Sequence, residues 1–87
     1  MTDERCLELA NEIGLACGKD STISPFLKHV LRFFTFGHLP PHLARMSAPF
    51  AELALTIARS SSNQETTMAL RKLLEAKDCA VHALIPE

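Results

Sequence analysis

The chain has no tryptophan and no tyrosine, only three glycines, and three cysteines without a Cys-x-x-Cys pair. Each shortage excludes something. With neither Trp nor Tyr, any surface that stacks on a base must be built from Phe, His or Arg. Gly14, Gly18 and Gly37 stand apart, so there is no glycine-rich phosphate loop and a nucleotide-hydrolysing enzyme is disfavoured. Cys6, Cys17 and Cys79 are odd in number and widely spaced, and Cys6 and Cys17 fall in a helical pattern where cysteine serves as a small apolar residue. This usage points to a reducing cytosol. Charge of one sign is missing too: the net charge is −1 and the pI near 6.4, without the basic balance that binding a long DNA or RNA requires. No run approaches the roughly 18 apolar residues of a membrane span, and the acidic start MTDERCLEL is unlike a secretory leader. The expectation is a protein that neither enters a membrane nor is exported.

What is present is helical period. Eighty-seven residues allow one domain, and a chain this short buries little more than half of its unfolded surface, so an elongated helical protein of this size leans on a partner subunit. Thr2 reads as an N-cap before Asp3 and Glu4, with Cys6, Leu9, Ile13 and Ala16 following at helical steps and Gly18 as the stop, predicting a helix over 3–17. Ser24-Pro25 predicts a second helix over 25–36, whose Phe26, Leu27, Val30, Leu31, Phe33 and Phe34 cover an arc of about 160° and so meet two surfaces. Gly37, as a left-handed cap, and Pro40-Pro41 end it.

From Leu43 the positions Leu43, Met46, Phe50, Leu53 and Ile57 keep one heptad phase through Pro49, predicting that this face is buried. Two readings remain open there: one helix kinked at Pro49, or a fresh helix capped by Ser47 with Pro49 in its first turn. The polar loop Arg59–Asn63 is short enough to return the next helix antiparallel. That helix, residues 64–85, is introduced by a capping box within Ser62-Asn63-Gln64-Glu65, and Ala69, Leu73, Ala76, Ala80 and Ala83 form a small-residue seam expected to face its neighbour. Leu70, Leu74, Cys79, Val81, Leu84 and Ile85 fall outside that seam and call for other partners, such as a second subunit. The expected fold is all-α, one domain over 1–87, with N-terminal helices in 1–36 and an antiparallel helical hairpin in 42–85, oligomerising through helices.

Catalytic constellations are weak. No G-x-S-x-G elbow or other nucleophile setting occurs, and Ser60–Ser62 read as loop and cap. His38 and His42 are four apart, but Pro40-Pro41 between them removes the helical geometry that gives a zinc pair its meaning. No metal, no cofactor and no enzyme activity are expected. Arg71, Glu75, Asp78 and His82 form one polar stripe, read either as a solvated face of weak ion pairs or as a pocket wall in which Arg71 donates to phosphate. Phe33, Phe34 and Phe36, beside His38, read first as core and second as base-stacking rings.

Taken in order, Phe34-Thr35-Phe36 leading to Pro40-Pro41, the apolar helix ending Ala51-Glu52-Leu53-Ala54-Leu55, a Ser/Asn loop, and Glu65-Thr66-Thr67-Met68-Ala69-Leu70-Arg71-Lys72-Leu73-Leu74-Glu75-Ala76 resemble the helical hairpin of small phage proteins, the anti-CBASS and anti-Thoeris signal sponges. The resemblance spans residues 33–85. It implies a small helical homo-oligomer, with hexamers known in the family, that sequesters cyclic di- or trinucleotides or cyclic ADP-ribose isomers in the host cytoplasm without cleaving them, so that immune effectors stay inactive. It places the family's arginine on Arg71, facing a symmetry axis and phosphates, with Thr67 one turn earlier as a hydroxyl donor. Where many relatives carry Trp and Asn late in this helix, Cys79 and Val81 stand here. The extra domain that takes ADP-ribose isomers has no room, which makes cyclic oligonucleotides the expected ligands. In this reading Lys72 and Arg32 support Arg71, and Phe36 and His38 meet the bases. The competing reading is a small helical interaction protein that docks on a partner through Phe26–Phe36 and binds no small molecule.

Overall fold

The computed structural model describes residues 2–19 and 21–85. Among these residues no strand forms; the chain folds into four α-helices, α1 (Asp3–Gly18), α2 (Pro25–Leu31), α3 (Pro41–Ser60) and α4 (Gln64–His82), with a 3-10 turn at Arg32–Phe34. No described helix is long and apolar enough to cross a membrane. α3 is central, packing most extensively on α4 and next on α1, while α2 and the 3-10 turn lie over all three. The result is a slab of 37 × 25 × 18 Å.

Local chemistry sets the starts of the elements. The Arg5 amide donates to Thr2 Oγ1 at 3.1 Å, opening α1, and the Leu27 amide donates to Ser24 Oγ at 3.3 Å, opening α2 with Pro25 at its first position. α4 is opened by a reciprocal capping box one residue later than predicted. The Thr66 amide donates to Asn63 Oδ1 at 3.0 Å and the Asn63 amide to Thr66 Oγ1 at 3.4 Å. Thr66 is buried, so its hydroxyl satisfies a cap and fills the core edge at once. Replacing Asn63 with alanine is expected to lower unfolding free energy by about 1 kcal/mol, read as a shift of the urea midpoint at constant slope.

Three expectations are corrected, and the open choice at Pro49 is decided for a single helix. The second helix does not reach residue 36: it tightens at Arg32–Phe34, and the Thr35 hydroxyl bonds the Arg32 carbonyl at 2.9 Å while Thr35 turns extended. This swings Phe36 back into the core, where it is 2% exposed. Gly37 is no left-handed cap, because no described residue has positive φ; the turn closes instead through the Leu39 amide on the Phe36 carbonyl at 3.0 Å. α3 is one helix through Pro49, so Ser47 caps nothing. Pro49 and Arg45, whose carbonyl Pro49 cannot serve, are both exposed. α4 ends at His82 rather than 85, with 83–85 in turns.

The buried faces are corrected as well. Of the heptad stripe Leu43 is buried and Phe50 and Ile57 are partly buried against the core, while Leu53 is 48% exposed. The face of α3 that enters the core is Ser47, Ala48, Ala51, Ala54, Leu55 and Ala58. A central helix with neighbours on two sides and a third element above must let backbones approach closely, which alanine permits and a row of long side chains prevents. In α4 the buried residues are Thr66 and Leu70, with Leu73 and Leu74 packed against the core, and the alanine seam turns outward: Ala69, Ala76 and Ala83 are exposed.

Polar contacts brace the slab's edges. Arg5 on α1 donates through Nε and Nη2 to Glu52 on α3 at 3.2 and 2.9 Å, and through Nη1 to Glu12 at 3.1 Å. These carboxylates raise the guanidinium pKa further above its already high value, so Arg5 stays charged at every pH the fold survives. Arg45 clasps Asp3 at 3.1 and 3.3 Å. Lys77 of α4, 13% exposed at its side chain, donates to the Phe33 carbonyl at 2.9 Å and pairs with Asp78, tying α4 to the end of the 3-10 turn.

Candidate functional site

A recess of about 330 Å³ opens between the first turn of α2 and the first two turns of α4, lined by Phe26, Gln64, Thr67, Met68 and Arg71. The four α4 residues are spaced by three and four, which puts them on one side of that helix. The Ser24 cap and Pro25 set Phe26 across from them, with its ring 59% exposed; Met68 is 50% exposed. Arg71 is exposed and makes no ion pair or hydrogen bond with any described residue. Thr67 is half-buried and donates from Oγ1 to the Asn63 carbonyl at 3.4 Å, which leaves the hydroxyl's lone pairs free to accept.

Chemically this set holds an unpaired planar cation with a fork of donors, a hydroxyl, a primary amide, and one aromatic face beside a polarisable thioether. Such a group can bind an anion at Arg71 while an aromatic ring lies on Phe26 and has its polar edge read by Gln64. No acid, base and nucleophile converge in it.

The structure unites only part of the expected site. Arg71 and Thr67 share the recess. Lys72 is exposed but turned about 100° around the helix from Arg71. Arg32 sits on the 3-10 turn near Cys17, not in the recess. Phe36 cannot offer a stacking face, because its ring is core; it forms a wall of a different cavity. His38 is exposed in the turn after Phe36, also away from Arg71. Phe26, Gln64 and Met68 were missed as site residues. The signal for Phe26 was present, since an apolar arc too wide for one core face must leave an edge ring outside.

A second cavity of about 370 Å³ lies between α1 and the start of α3, walled by Leu7, Ala10, Phe36, Leu39 and Ala44. It is larger but poorer in chemistry. Its cation, Arg45, is already engaged by Asp3, and its walls are otherwise mostly apolar. We therefore place the candidate site at Arg71.

The polar stripe Arg71, Glu75, Asp78 and His82 is exposed throughout, and Asp78 pairs with Lys77 at 2.9 Å. Cys17 is partly buried, which raises its thiol pKa, with the Arg32 charge a smaller opposing influence, whereas Cys79 is exposed; both are free. Because the thiolate is the nucleophile, iodoacetamide at mildly alkaline pH should alkylate Cys79 well before Cys17, as peptide mass mapping over time would record. Equal rates would show that the α1 end opens readily.

Comparison with protein-family models, with curated proteins and with solved structures found no match.

Proposed function

We propose that the protein is a non-catalytic sponge for cyclic oligonucleotide messengers, a homo-oligomer whose α3–α4 helical hairpin presents Arg71 to the phosphates, acting in the cytoplasm of a phage-infected host. The observation that carries the reading is the unpaired Arg71 in one recess with Thr67, Gln64 and the exposed Phe26 ring. A cyclic dinucleotide or trinucleotide offers matching chemistry: fixed phosphodiester anions a short distance from flat bases. A subunit of net charge −1 can still form a cationic pocket when symmetry repeats one arginine around an axis.

The test is calorimetric titration of the intact protein with a panel of cyclic di- and trinucleotides, followed by chromatography of the ligand recovered after heat denaturation. Tight binding with ligand returned unchanged supports a sponge. A cleaved ligand would mean an enzyme, and silence across the panel would end the reading.

A second reading is favoured by a specific observation: Phe26 and Phe33 are 59% and 57% exposed, and His29 lies edge-on to Phe33 with ring centroids 6.3 Å apart. This aromatic edge of α2 suits docking on a partner protein. Silence toward nucleotides together with a Phe33→Ala variant that loses a captured, identified partner would favour it.

A further inference from the structure

The large apolar side chains most open to solvent among the described residues fall into two pairs. Leu7 and Leu15, 71% and 60% exposed, stand on α1; Phe26 and Phe33, 59% and 57% exposed, stand on α2 and the 3-10 turn that continues it. Their surroundings carry opposite charge. On α1, Leu9, Ile13 and Ala16 enter the core, and at about 100° per residue the opposite side presents Glu4, Leu7, Glu8, Asn11 and Leu15. Glu4 bonds to no described residue, and the cations at this edge, Arg5 and Arg45, are already engaged by Asp3, Glu8, Glu12 and Glu52. The edge is left net acidic. On α2, Leu27, Val30 and Leu31 enter the core, and the outward side presents His29 and Arg32. Lys28 falls on the flank toward α1, while Phe26 and Phe33 fall on the flank toward α4. Lys28 and Arg32 pair with no described carboxylate, and no Asp or Glu occurs between Asp20 and Glu52.

We infer that these are the two halves of one contact between copies of the chain, the acidic leucine face of α1 in one copy docking on the basic aromatic face of α2 in the next. Charge complementarity selects a second copy, because each face carries what the other lacks. The spacing agrees: Leu7 and Leu15 are about 12 Å apart along α1, and Phe26 and Phe33 about 11 Å apart along α2 and its 3-10 extension. A foreign partner would cover one pair of exposed side chains and leave the other in water, whereas a second copy covers both. An anionic membrane fits less well, since α2 brings only Lys28 and Arg32 where surface-binding segments bring about four to eight cations. Because the contact joins unlike faces, it repeats from copy to copy and closes as a pair or a ring.

This inference rests on the homo-oligomeric part of the proposed function and deepens it, without depending on a nucleotide. Sedimentation of the ligand-free full chain, from micromolar to millimolar concentration and at low and high salt, tests it. The expected result is an assembly that weakens as salt is added. Leu7→Lys sets a like charge against Lys28 and Arg32, and Phe33→Glu sets one against Glu4 and Glu8. Each should weaken association at least about 100-fold with the helical circular dichroism unchanged, both positions being exposed. An equal mixture of the two variants should associate again, since one keeps an intact α2 face and the other an intact α1 face. Arg32→Glu, also exposed, gives the same direction with a smaller loss should Phe33→Glu disturb the fold. A monomeric wild type overturns the inference and returns the aromatic edge to a foreign partner. An assembled mass that survives both substitutions overturns it too, as does a mixture that stays monomeric. Nucleotide titration is read separately: an assembly that binds no ligand removes the sponge reading alone, and a monomer that binds ligand removes the interface alone.

Discussion

Arg71→Ala is expected to weaken binding of the preferred cyclic oligonucleotide about 10- to 150-fold while leaving the thermal midpoint within about a degree of wild type. The side chain is exposed and bonds to no described residue, so the fold loses little with it. The ligand loses a charge-assisted contact of about 1.5–3 kcal/mol, and 2.7 kcal/mol is about 100-fold in affinity. Arg71→Lys should recover only part of the loss, since an ammonium keeps the charge without the bidentate fork. Phe26→Ala provides the independent check on geometry. If a base stacks there, its removal costs about 1–3 kcal/mol; wild-type affinity in Phe26→Ala would move the base elsewhere even with Arg71 retained. Titration calorimetry of the three variants at two salt concentrations reads all of this, and undiminished binding by Arg71→Ala would discard the recess as the site.

The largest effect on stability is expected from Phe34→Ala, about 3–5 kcal/mol. Phe34 closes the 3-10 turn and is 1% exposed, in the core cluster that includes Leu9, Leu31 and Leu70. It belongs to the 3-10 turn that packs on α1, α2 and α3, so its loss opens a void among those helices. A small domain has only about 5–15 kcal/mol in total, which makes partial unfolding at ambient temperature a realistic outcome. Urea denaturation followed by circular dichroism measures it. A loss under about 1 kcal/mol would mean that the neighbours of Phe34 repack to fill its place.

Much of the fold was legible because it depends on local chemistry. Thr2 and Ser24-Pro25 mark helix starts by supplying or removing donors within one turn, and both act as read. The box at α4 was legible in kind but displaced by a residue: several polar side chains in a row can each cap, and the choice fell to Thr66, which the core also buries. The buried faces were misread for a different reason. Periodicity ranks positions by size and polarity, so Met46, Phe50, Leu53 and Ile57 outrank Ala48, Ala51, Ala54 and Ala58. A crowded central helix reverses that order.

The site was legible at Arg71 and Thr67, which lie one turn apart on a single helix. It was illegible at Phe26, because the distance from Phe26 to Gln64 is a property of how α2 lies across α4. Phe36 shows the converse. A residue three past the end of a helix carries no periodic information, and the bond from Thr35 to the Arg32 carbonyl, a backbone matter, sends its ring inward.

By itself the sequence determined the helical class, the helix starts, the absence of a phosphate loop and the weak net charge, since each follows from residue types acting over a few neighbours. Only the tertiary structure decided that α3 buries Ala48, Ala51, Ala54 and Ala58 more deeply than Phe50, Leu53 and Ile57, that Phe26 rather than Phe36 stands beside Arg71, and that Ala69, Ala76 and Ala83 of α4 face outward. These depend on which helix sits at the centre, a choice made by the packing of all four helices together and encoded in no single segment.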